Sequence, residues 1–76
     1  MEPRIALTHF YHVVKHTNPT LAALMSENIV EVALGTLHDD KAIGQRNANE
    51  LREKAEVLDE ALRNTLNRAL VGLGYS

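Results

Sequence analysis

Apolar residues recur every three or four positions through the last third of the sequence. The seven positions are spaced 4, 3, 4, 4, 3 and 4 residues apart, and they are Leu51, Ala55, Leu58, Leu62, Leu66, Ala69 and Leu73. An α-helix places residues three and four apart on one face, whereas a strand would require alternation. The spacing therefore predicts one long helix over about residues 48–72. Its packing seam, in the core or between subunits, is predicted to comprise Leu51, Leu58, Leu62 and Leu66.

Two more helices are predicted before this one. Pro3 suits the first turn of a helix over about residues 3–16, because the N–H that proline lacks has no partner within the first turn. Asn18 followed by Pro19 is typical of an N-cap and the first position of a helix. This second helix is expected to run from about residue 19 to about residue 42.

The break before the long helix is predicted within "DDKAIGQRNANE", residues 39–50. Gly44 is a plausible C-cap for the second helix. Asn47, with Glu50 three residues later, resembles a capping box and would begin the third helix. The sequence thus predicts an all-α fold, a helical hairpin or three-helix protomer that forms a single domain over residues 1–76.

The second predicted helix is apolar around more than half of its circumference, with a polar strip of only about 100° of arc. Such a helix needs more than one neighbour. A chain of 76 residues buries a modest share of its surface, and there is no cysteine to add a disulfide. We therefore expect a homo-oligomer, with a dimeric helical bundle as the favoured form.

Charge and hydropathy argue against two classes of protein, nucleic-acid binders and membrane proteins. The formal net charge is −2, with 8 Lys and Arg scattered among 10 Asp and Glu, whereas general nucleic-acid binders usually carry a basic patch. Apolar runs are far shorter than the roughly 20 residues of a membrane span. The N-terminal sequence does not resemble a signal peptide. We expect a cytoplasmic protein that does not insert into membranes.

Three of the four histidines, His9, His12 and His16, are spaced three and four residues apart. On a helix they share one face, opposite Leu7, Phe10 and Val14. His12 and His16 could chelate a divalent ion, but the sequence lacks the glutamates that accompany histidine in zincin and di-iron motifs. We expect a polar face toward solvent or a partner. Metal binding and a pH response remain open alternatives.

No catalytic fingerprint is present, so we expect neither an enzyme nor a cofactor. The favoured function is a small interaction protein that binds and modulates another protein, by analogy with bacterial or phage inhibitors and adaptors. The expected contact residues are Phe10, Tyr11, Met25 and Leu34. Core packing is the competing interpretation for all four, and it is the favoured one for Phe10 and Met25.

Two other functions remain possible at this point. A helical dimer could bind nucleic acid through Lys15, Arg52, Lys54 or Arg63, doubled by symmetry. Alternatively, a small ligand or metal could be held at a subunit interface. That site would be lined by the histidine face together with Glu27 and Glu31.

Overall fold

The computed structural model describes residues 2–34 and 40–76, apart from the side chains at positions 26, 27, 30, 31 and 34. Over this part the chain forms four α-helices and no strand, which confirms the all-α fold class. The helices are α1 (Pro3–Thr17), α2 (Pro19–Leu34), α3 (Lys41–Lys54) and α4 (Glu60–Gly72), with a short 3₁₀ helix at Ala55–Val57. None of the described helices is long and apolar enough to cross a membrane. The cytoplasmic location stays a prediction.

The first helix and the start of the second form as the sequence predicts. Pro3 occupies the first turn of α1, and the Glu2 carboxylate accepts a hydrogen bond from the Arg4 N–H at 3.3 Å. At the junction, the Asn18 N–H donates to the Val14 carbonyl and ends α1. The Asn18 side chain accepts from the Leu21 N–H at 3.1 Å, so the same residue also caps α2.

The predicted boundaries of the next break are wrong. Helix α3 begins at Lys41, because the Asp40 carboxylate caps it by accepting the Ile43 N–H at 3.2 Å. The second helix therefore does not extend to residue 42. Gly44 is not its C-cap, and Asn47 does not start a helix. Both residues lie inside α3.

The single long helix predicted over residues 48–72 is also wrong. The chain leaves α3 through the 3₁₀ turn and becomes extended at Leu58, with φ −88° and ψ 164°. The Asp59 carboxylate then accepts the Leu62 N–H at 2.9 Å and starts α4. The three-helix protomer is thus corrected to four helices among the described residues.

The four helices enclose one apolar cluster. Helix α1 packs against α2 and α4, and α2 packs against α1 and α3. The largest fully buried side chains are Leu7, Phe10, Val14, Met25, Leu51, Leu66 and Leu70. Of the remaining predicted seam residues, Leu58 and Leu62 are partly buried and pack against this core. The second neighbour of α2 is therefore α3 of the same chain, where the sequence suggested a second copy.

Candidate interaction surface on α1 and α4

Helix α1 carries a solvent-exposed face because its apolar residues are collected on the opposite side. Leu7, Phe10 and Val14 are buried against the core. About half a turn away, Ile5, His9, His12 and His16 are all exposed. Ile5 is the apolar exception on this polar face, and 56% of its surface is accessible.

A cleft of about 410 Å³ lies between α1 and α4. Its lining residues are Pro3, Ala6 and His9 from α1 and Thr65, Arg68 and Ala69 from α4. The start of α1 lies beside the end of α4, where Gly72 meets Pro3. A Cβ atom on Gly72 would lie 2.6 Å from the proline Cγ, so the absence of a side chain permits this close approach.

A second, shallower depression of about 340 Å³ follows the outer side of α1. It is lined by Arg4, Ile5, Thr8, His9 and His12. His9 lines both depressions, so the two are neighbours on α1. We call the residues that line either depression the α1–α4 surface.

The α1–α4 surface combines two cations with exposed apolar area. Arg4 lines the outer depression and Arg68 lines the cleft, and among the described residues no carboxylate lines either one. Neither arginine forms an ion pair with another described residue. Fixed positive charge beside exposed apolar area attracts segments that combine acidic and apolar side chains.

The expected contact residues fall into different environments. Phe10 and Met25 are fully buried in the core, in agreement with the core-packing interpretation, so neither presents a surface to a partner. Tyr11 is half-buried against the core, and its ring centroid lies 6.4 Å from that of His12. The side chain of Leu34 lies outside the described part of the chain.

The residues that sequence reasoning missed are Ile5 and Arg68. Ile5 did carry a signal, since it is an apolar residue on an otherwise polar helix face. Arg68 carried none, because its position beside His9 depends on how α4 packs against α1.

Metal binding by His9, His12 and His16 stays a prediction. Within the described residues, no group of three or more histidine or acidic side chains could hold a metal ion. The proposed additional ligands, the side chains of Glu27 and Glu31, lie outside the description. His9 and His12 instead contribute to the α1–α4 surface.

Two of the four cations considered for nucleic-acid binding are engaged within the fold. Arg52 donates to the Asn67 side-chain oxygen at 3.0 Å and to the Tyr75 carbonyl at 3.1 Å. Lys54 pairs with Glu50 at 2.7 Å, and this hydrogen bond and charge hold the pKa of the Glu50 carboxyl below its usual range. This leaves Lys15 and Arg63, which are exposed.

A comparison of the chain with known protein families, with curated proteins and with solved structures found no match.

Proposed function

We propose that this protein is a non-enzymatic interaction protein that binds an acidic segment of another protein through the α1–α4 surface. The observation that carries the proposal is the exposure of Ile5 on a surface that also carries two arginines. Ile5 is 56% exposed and lines the outer depression together with Arg4, and Arg68 lines the neighbouring cleft. An exposed apolar residue in such a setting is a candidate interface anchor.

The proposed partner segment is an amphipathic helix with carboxylates along its edges. Its apolar side chains would contact Ile5 and Ala6, and its carboxylates would approach Arg4 and Arg68. This is the helix-in-groove mode, in which apolar contacts supply affinity and charges set orientation and association rate. By covering the segment, the protein would block its other contacts and so modulate the partner.

We expect Ile5→Asp and Arg68→Glu each to weaken partner binding by about ten- to hundredfold, equal to about 1.4–2.7 kcal/mol. Both side chains are exposed, so the fold should be retained. The matched control is Val71→Asp, because Val71 is 61% exposed on α4 but does not line the α1–α4 surface.

The measurement starts with affinity capture on the wild-type protein and the three variants, followed by mass spectrometry. The partner should be acidic. The wild-type protein and the Val71→Asp variant should retain it, whereas Ile5→Asp and Arg68→Glu should not. Dissociation constants for its acidic segment then quantify the losses, and higher salt should weaken binding. A partner retained equally by Ile5→Asp and Arg68→Glu would refute this surface as the binding site.

We also propose that the protein acts as a homodimer. The support is that a small domain gains stability by association, and that Leu24 on α2 is 62% exposed. Native mass spectrometry at micromolar concentration should give the mass of two chains, and Leu24→Asp should give the mass of one. A wild-type protein that stays a single chain under these conditions would exclude the dimer.

A further inference from the structure

Residues 74–76 fold back from the end of α4 toward α3, and we call them the tail. Gly74 has a φ of +102°, a left-handed conformation that L side chains rarely adopt. Its N–H donates to the Val71 carbonyl, and the Tyr75 N–H donates to the Leu70 carbonyl, both at 2.9 Å. This is a Schellman motif, and it directs Tyr75 across α3.

The ring of Tyr75 fills a slot that glycine leaves open on α3. A Cβ atom on Gly44 would lie 2.5 Å from the tyrosine hydroxyl oxygen and 2.6 Å from Cε1. Side chains do not approach that closely, so only glycine at position 44 leaves room for the ring. Tyr75 is 9% exposed in this slot.

The tail backbone is held by two side chains of α3. The Gln45 amide donates to the Ser76 backbone oxygen at 2.7 Å and accepts the Ser76 N–H at 3.1 Å. Arg52 donates to the backbone oxygens of Ser76 and Tyr75, at 2.8 and 3.1 Å. All four hydrogen bonds are made to backbone atoms of the tail. Peptide recognition by β-strand addition likewise relies on hydrogen bonds to the peptide backbone.

We propose that Gly44, Gln45 and Arg52 form a peptide-binding socket for a tyrosine-containing segment of a partner protein, with the tail as its resident ligand. The slot for the ring selects an aromatic residue. The hydrogen bonds are made to backbone atoms, so the residue that follows can be any that has a backbone N–H. Residues 74–76 would have to move to open the socket. The socket lies on α3 and does not depend on the α1–α4 surface.

The tail competes with such a segment at the high effective concentration of a short tether, on the order of millimolar. The test therefore uses the full chain carrying Tyr75→Ala, which empties the ring slot. The probe is the peptide acetyl-Leu-Gly-Tyr-Ser-amide, followed by two-dimensional NMR of the amide groups. We expect saturable shifts at Gly44, Gln45 and the Arg52 side chain.

Two controls make the result specific. The same peptide with alanine in place of tyrosine should bind at least about tenfold more weakly, since it lacks the ring that fills the slot. The variant Tyr75→Ala with Gly44→Ala should also bind more weakly, because the added methyl group occupies the slot. Equal binding in either control, or no saturable shifts at the socket, would overturn the proposal.

If Tyr75→Ala loses its helicity, the wild-type protein provides the second measurement. An excess of peptide, up to about 10 mM and so above the tether's effective concentration, should displace the tail. The amide signals of Gly74 and Ser76 would then move toward unstructured positions while α3 stays folded. A tail that does not move under this excess would also overturn the proposal. Neither outcome bears on the α1–α4 surface.

Discussion

Phe10→Ala should reduce the free energy of unfolding by about 3–5 kcal/mol. Phe10 is fully buried where α1 faces the core, and its removal would leave a cavity that the neighbouring helices fill only in part. Native proteins have a total stability of about 5–15 kcal/mol, so the variant should lose a large share of its stability. Urea denaturation followed by far-ultraviolet circular dichroism measures the change.

The matched control for Phe10→Ala is Ile5→Ala on the same helix. Ile5 is 56% exposed, so its truncation should change stability by no more than about 0.5 kcal/mol. The pair also separates the two roles that the sequence allowed for Phe10. If Phe10 were a partner contact, its truncation would leave stability unchanged and weaken binding, and the description of the core would then be wrong.

The helix boundaries that could be predicted are those set by adjacent residues. Pro3 and the pair Asn18–Pro19 act within one turn of their own position, through a fixed φ angle or a side-chain cap. Their effect does not depend on what the rest of the chain does. The sequence therefore located the start of α1 and the junction between α1 and α2.

The division between α3 and α4 was missed because apolar spacing does not report a change of direction. Leu58 and Leu62 both pack against the core although Leu58 is extended and Leu62 is helical. Each missed start does have a local signal in an aspartate, Asp40 or Asp59. Each carboxylate caps the N–H three residues later. The apolar spacing continues without a break across both helices, and it favoured a single helix despite the aspartates.

The candidate surface could be predicted only in part. The outward position of His9 and His12 follows from the helical spacing, but an amphipathic pattern assigns a core residue and an interface residue to the same face. Phe10 was therefore ambiguous until the neighbours of α1 were known. The contribution of Arg68 depends on the packing of α4 against α1, which no local pattern specifies.

Gly44→Ala and Tyr75→Ala should change stability in a strongly coupled way. Tyr75→Ala alone should cost about 2–3 kcal/mol, since it removes a mostly buried ring. Gly44→Ala alone should cost about 1–2 kcal/mol, because the new methyl group pushes the ring out of its slot. In the Tyr75→Ala background, the same glycine change should instead stabilise the protein by about 0.5–1 kcal/mol, since alanine is the better residue inside a helix.

This reversal of sign distinguishes three explanations of Gly44. If Gly44→Ala stabilises both backgrounds, the ring does not occupy the slot and the glycine is merely a poor helix former. If it destabilises both, glycine is needed for its backbone freedom, as the helix end expected from the sequence would require. Only contact with Tyr75, which lies 31 positions further along the chain, predicts a loss in one background and a gain in the other. Four urea denaturation curves decide among them, with a coupling free energy of about 1.5–3 kcal/mol expected.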